Sequence, residues 1–330
     1  YAIPFMRERL LLLAGHFRFL DWEPPQGPGR TDTFTPAKTL LEFPLEQLET
    51  KELVGLCDFP SIWLQGERKQ HGLHAHWDGN NVRMEERNLS ASFGTGTFPP
   101  TVDHKQLGRI EQWLLTKEPP KYPFAINQER ASKGAPLYAQ YCANCHGKSG
   151  RDFDGEAVGQ VVPIADIGTD RHRFDSYTYQ LATSQNNLYA GYPAYRFSHF
   201  RKTGGYANTP LDGIWARAPY LHNGSIPTLR DLLNSTEGRP KVFYRGYDVF
   251  DQEKVGFVSD VSHFNDDGTS KDDAANPQHF FRYDTQPRAG GATPRDRNEG
   301  NLNTGHEGPG YGTTLSEEEK DALVEYLKTF

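Results

Sequence analysis

The sequence predicts a mainly α fold threaded by long irregular loops. Three features carry that prediction. The C-terminal segment LSEEEKDALVEYLKTF (315–330) has helical periodicity and a capping signature. Two further helical patterns occupy 103–116 and 126–140. Around them, the 32 glycines and 23 prolines of this 330-residue chain fall largely in stretches without periodicity, which turns and loops explain better than strands.

From the N-terminus, YAIPFMRERLLLL (1–13) is apolar and helix-like. Its run LLLLAG (10–15) is far too short to span a bilayer, so no transmembrane segment is expected. Turn clusters then punctuate short apolar runs, as in EPPQGPG (23–29) and FGTGTFPP (93–100). In DHKQLGRIEQWLLT (103–116), Leu107, Ile110 and Leu114 share one helical face and Asp103 can cap it. KEPPKYPF (117–124) stops that helix with Pro119, Pro120 and Pro123. This stiff connector is the expected boundary between a segment 1–125 and a domain 126–330. PTLRDLL (227–233) starts a short helix with Pro227 in its first turn. Residues 240–312, rich in Asp, Asn, Gly and Pro, lack periodicity, and a stretch of that length is either functional or loosely ordered. In the last helix Ser316 and Glu319 form a capping box, and Leu323, Tyr326, Leu327 and Phe330 line one face.

The formal charge of −7 leaves no basic footprint, which argues against nucleic acid and weakly favours partners with a basic face. No G-x-S-x-G, P-loop or dinucleotide fingerprint occurs. The three cysteines are Cys57, Cys142 and Cys145. The last two stand in YCANCHG (141–147) with His146 after them, the C-x-x-C-H spacing that attaches a c-type haem. Each thiol can add across one haem vinyl group, and His146 offers its imidazole to the iron as proximal ligand. A chance zinc site would need two more ligands at matching spacing, and none follows closely. The helix over 126–140 that runs into the motif completes the start of a cytochrome c-like domain. Cys57, in the apolar context GLCDFPSIW, is then a buried free thiol. Covalent haem attachment takes place outside the cytoplasmic membrane, so a periplasmic or cell-surface location after removal of a signal peptide is expected.

The sixth iron position can be narrowed by elimination. Met6 and Met84, the two methionines, both precede the motif, so a downstream Met ligand is impossible. Of the downstream histidines, His306 stands out: it lies in NTGHEGPGYG, a flexible-looking segment just before the capped last helix. In a cytochrome c fold that helix packs across the first, so a loop entering it can reach the far haem face. His222, in RAPYLHNGSIPTL, is the runner-up, and open or water coordination is the remaining alternative. His71, His74 and His76 in HGLHAHW invite a metal reading, but no carboxylate or thiolate completes a set.

Two further stretches resemble a known family. APYLHNGSIPTLRDLL (218–233) is similar to the PYFHDG…TL element of bacterial dihaem cytochrome c peroxidases, and HWDGNNVRMEERN (76–88) to their FWDGRA…LEEQ segment. The nearest resemblance is to the branch of latex-cleaving rubber oxygenases and dihaem fatty-acid dioxygenases, through WDGNN, EERNLSA, FRYDT (281–285) and the His-before-YGT ending. It extends over residues 55–330. The resemblance implies that Trp77 lies between two haems and relays electrons, and that His306 holds the distal position of the electron-transfer haem. Without it, Trp77 reads as a core aromatic. Arg87 stands where the peroxidases often have Gln, which speaks against peroxide chemistry of their kind. Related peroxidases hold calcium between domains, so calcium is a further possible cofactor; NDDGTSKDD (265–273) lacks the Gly and Glu spacing of an EF-hand.

In that family the catalytic haem attaches through a second C-x-x-C-H ahead of the WDG motif, and residues 1–76 hold none. The resemblance therefore implies a chain that is the C-terminal, electron-transfer portion of a dihaem oxidoreductase, with its second haem in upstream sequence. Residues 1–125 would be part of a second cytochrome-like domain. A second haem domain and a small redox partner are the expected partners. The competing readings are a stand-alone monohaem electron carrier and a scaffold that keeps haem for stability.

Overall fold

The computed structural model describes residues 2–94, 97, 99–273, 275 and 278–330. About 40% of the chain is helical, so the fold is mainly α. The helices that matter below are α1 (Ala2–His16), α2 (Met84–Gly94), α3 (His104–Leu115), α4 (Gln128–Tyr141), α5 (Ala143–His146) and α6 (Glu317–Leu327). Among the described residues, strands occur as short antiparallel pairs. β1 (Arg30–Asp32) pairs with β2 (Leu56–Asp58), β3 (Val161–Pro163) with β4 (Gly205–Ala207), and β5 (Val242–Arg245) with β6 (Phe281–Asp284).

The central packing event is the crossing of α4 and α6. Asn127 caps α4 by accepting the Arg130 N–H, and Ser316 with Glu319 caps α6 reciprocally. The helices meet at Gly134, where an added Cβ would lie 2.0 Å from the Ala322 carbonyl oxygen. Only a residue without a side chain permits so close a backbone approach. Around that contact Ala131, Tyr138, Leu323, Val324 and Leu327 are buried. Each large aliphatic among them contributes about 1.5–3 kcal/mol by leaving water. The Tyr138 ring meets Phe330 edge-on at 4.9 Å. A second core, largely aromatic, gathers Phe34, Phe93, Tyr177, Tyr189, Phe197 and Phe200 under α2.

Hydrogen bonds cross the expected connector. Arg30, on β1, donates to the Tyr283 hydroxyl at 2.7 Å and to Asn301 at 2.7 Å, and Arg245 pairs with Asp58 at 3.1 Å. Residues 240–312 are not loosely strung: β5 and β6 form a ladder within them. Asn223 donates to the carbonyls of Gly300 and Leu302, and Asn298 to those of Asp284 and Gln286. Side-chain amides here replace the regular ladder that the sequence lacks.

The amphipathic segment 103–116 forms α3 with the Asp103 cap in place, but the stripe is only partly covered: Leu107 packs on the aromatic core and Leu114 is half-buried, while Ile110 is exposed. Ile110 is 53% and Trp113 54% exposed, because α3 lies on the surface against α2 and the short helix Gln65–Gln70. The apolar N-terminal segment forms α1, with Ile3, Phe5, Met6, Leu10 and Leu11 exposed.

Replacing Gly134 by Ala should force α4 and α6 apart and cost about 1–3 kcal/mol, as overpacking does. The midpoint of urea unfolding measures it. A wild-type midpoint would mean that the close crossing is absent.

Candidate haem centre

The C-x-x-C-H segment owes its shape to the end of α4. Cys142 closes α4 and opens the single turn α5, with the Cys145 and His146 N–H groups both donating to the Cys142 carbonyl. One helical turn sets Cys142 and Cys145 on a common face. Gly147 then leaves the helix at φ +85, and its carbonyl accepts from the buried Tyr138 hydroxyl at 2.8 Å. Burial pushes the Cys142 thiol up to about 12 and raises Cys145 as well, so both stay protonated rather than thiolate. Cys57, on β2, is buried and free, with its thiol also pushed up by burial.

His146 is fixed by its far nitrogen. Nδ1 lies 2.7 Å from the main-chain carbonyl of Thr209, just beyond β4. A carbonyl can only accept, so Nδ1 carries the proton and Nε2 is left bare for a metal. The second imidazole comes from the loop before α6. His306 and His146 have ring centroids 6.4 Å apart and planes inclined at 41°. Two imidazoles gripping one metal ion from opposite sides, each about 2.0–2.1 Å from it, place their ring centres about 6 Å apart. The pair therefore fits a haem iron held between them. Burial, and then the nearby His146, push the His306 imidazole down to about 3; burial also lowers His146. Both rings are neutral at physiological pH, as ligation requires. Among the described residues, His306 Nδ1 is buried without a hydrogen-bond partner, which suits a ring built to meet another group.

The His306 loop is pinned rather than flexible, contrary to the impression its glycines give. Gly305, at φ +76, presses so closely on Ile167–Thr169 that a Cβ would meet the Thr169 nitrogen at 2.2 Å. The His306 N–H donates to Ile167 O at 2.8 Å, and Glu307 accepts from both the N–H and the hydroxyl of Thr236. His306 itself has φ +50, a left-handed conformation that costs a non-glycine residue on the order of 1–3 kcal/mol.

His222, the runner-up, goes elsewhere: its ring packs on Tyr206 at 4.6 Å and burial pushes it down to about 3. Its carbonyl accepts from Asp58 N–H, so the PYLHNG segment acts here as a joint to β2. Trp77 is partly buried, and its indole N–H donates to the Asp58 carbonyl at 2.8 Å, not to His74 or His76. Trp77 and Thr209 line one small cavity of about 40 Å³. The three neighbouring histidines diverge, His71 to Asp154, His74 to the Asn81 carbonyl and His76 to Asn80. Arg87 is bonded to the adjacent Asn88. In 265–273, Asp267 closes a local turn with Thr269, and Asp272 pairs with His263. Among the described residues, no group of three or more His, Cys, Asp or Glu side chains could hold a metal ion. Nor is any described helix long and apolar enough to cross a membrane.

Sequence reasoning missed Thr209 and Asp58, because both act through main-chain carbonyls that leave no side-chain signature. It also missed Arg239, which lies under the His306 loop.

Residues 205–244, which contain Thr209, the PYLHNG segment and Arg239, match the family described as RoxA-like, cytochrome c-like. Two relatives from Sinorhizobium fredii are similar over much of the chain. The uncharacterized protein y4iM is 32% identical over 83% of this chain, and the uncharacterized protein y4iJ 28% identical over 70%. The chain spans 64% and 46% of the length of those relatives. The match implies haem c, and together with the C-x-x-C-H turn it makes the chain a c-type haem protein related to the RoxA-like group.

Cys142→Ala with Cys145→Ala should release haem into acidified organic solvent, whereas Cys57→Ala should leave it covalently attached. Pyridine haemochrome quantification of washed protein distinguishes the two, and haem loss from the Cys57 variant would contradict the assignment.

Proposed function

We propose that this chain is the electron-transfer portion of a periplasmic or cell-surface dihaem oxidoreductase of oxygenase or peroxidase type. The observation that carries the reading is the facing pair His146 and His306. Haem bound there supplies reversible one-electron iron chemistry. His146 and His306 would both hold that iron, which would leave no opening for substrate and give a lower potential than a His/Met pair. Cys142 and Cys145 would tether the haem, and the Thr209 carbonyl keeps the His146 proton on Nδ1.

Trp77 is the exit in this reading. Its ring borders the cavity shared with Thr209, the residue that orients His146, and its N–H is held by Asp58. A second haem, supplied by a further polypeptide segment or a partner, would lie beyond Trp77 and perform the oxygen or peroxide chemistry. The acidic net charge suits a small basic redox partner at the input side. The alternative, a stand-alone monohaem carrier, shares the His146/His306 centre and differs in having no second haem.

His306→Ala should turn a low-spin absorption spectrum high-spin and open the iron to CO; an unchanged low-spin spectrum would remove His306 from the iron.

Trp77→Phe should keep both haem spectra and slow electron transfer between the haems, followed by stopped-flow reduction of the natural polypeptide with its partner. Transfer at the wild-type rate would make Trp77 a packing residue. One haem per complete complex would favour the carrier.

A further inference from the structure

Arg239 is 2% exposed and, among the described residues, forms no contact with a carboxylate within hydrogen-bonding distance. Its guanidinium instead collects main-chain carbonyls. Nε donates to Asn234 O at 3.0 Å; Nη1 donates to Asn303 O and, at 2.8 Å, to Gly305 O; Nη2 donates to His306 O at 3.2 Å and Leu232 O at 3.4 Å. Three of these acceptors lie in the four residues that end at His306. Glu307, Asp231 and Glu237 are near enough to act on Arg239 electrostatically, but none of them bonds it; the Glu307 oxygens bond Thr236 and an Asp231 oxygen accepts from the Thr228 hydroxyl.

The geometry explains why such a clamp is needed. His306 sits in a left-handed conformation, and Gly305 before it is wedged against Ile167–Thr169 with no slack. A left-handed residue turns its carbonyl away from any regular ladder, and the loop has no strand or helix partner to take the carbonyls of 303–306. A planar fork with five N–H donors can hold five carbonyls spread across the loop and the preceding helix end, whereas an ammonium offers only three donors from a single point. A buried positive charge without a bonded carboxylate also opposes further positive charge nearby, so it disfavours the oxidised iron.

We propose that Arg239 is the positioning residue for His306: it locks the distal-ligand loop in its strained conformation and raises the potential of the haem iron held between His146 and His306. This rests on the ligand reading above. Arg239 touches neither iron nor substrate; it acts through His306 and through its charge.

The experiment compares the haem-loaded full chain with Arg239→Met, Arg239→Lys and His306→Ala, reading spin state, CO binding rate and midpoint potential. Arg239→Met should become partly high-spin. CO, which reaches the iron only through the detached fraction, should bind about tenfold faster or more. Added imidazole should restore the low-spin spectrum, showing that the His146 side is intact. Read with imidazole present, so that wild type and variant are both six-coordinate, its potential should fall. Arg239→Lys keeps the charge but loses the fork, so its CO binding should quicken while its potential, read with imidazole present, stays near wild type. That split separates positioning from general loosening. Wild-type CO rates in both Arg239 variants, with His306→Ala turning high-spin, would overturn the role of Arg239 and leave the ligand assignment standing. A low-spin His306→Ala protein would overturn both. If Arg239→Met does not fold, the Arg239→Lys CO rate decides alone, and an unchanged rate overturns the proposal.

Discussion

The close crossing of α4 and α6 at Gly134 is the constraint on which the rest depends. With no side chain between them, the two backbones come nearly into contact, and that fixes both helix ends at once. The C-terminal end of α4 carries the Cys142–His146 turn, and the N-terminal side of α6 is entered by the His306 loop. Shifting either helix by the width of a methyl group would move one imidazole relative to the other. The crossing thus sets where the His146 turn stands, and the 6.4 Å ring separation is completed by the bonds that pin the His306 loop to Ile167, Thr236 and Arg239.

Outside that crossing, much of the chain satisfies its backbone without regular ladders. Main-chain carbonyls that lack strand or helix partners must still find donors when buried. Arginines supply many of them. Arg30 donates to the carbonyls of Pro25 and Gln26, Arg295 to Leu20 and Glu23, Arg217 to Pro210 and Asp212, and Arg239 to the loop before His306. Asn223 and Asn298 perform the same task with amides. Such a loop is ordered by a few many-handed side chains, so losing one of them removes several bonds together.

The helices were readable because their signals are local. Capping by Ser316 and Glu319, the proline stop after α3, and the periodicity of α6 all act within one or two turns. The α3 stripe shows the limit of that logic. Periodicity says that a face is apolar, not that anything covers it, and Ile110 and Trp113 remain exposed. The 240–312 segment shows the converse, since its order comes from partners distant in sequence.

By itself the sequence pointed to haem attachment through Cys142 and Cys145 and to His146 as an iron ligand, and it holds no methionine after that motif. Each follows from residue types at short spacing or from a bare count. It singled out His306 by the lack of a downstream methionine, by its place before the last helix and by the family resemblance. What the tertiary structure decided is which groups meet: His306 against His146, His222 against Tyr206 instead, the Trp77 N–H on Asp58, and the His146 proton on Thr209. Several of these contacts are made by main-chain carbonyls. Every residue has such a carbonyl, so nothing in the amino-acid alphabet marks the ones that matter until the chain is folded.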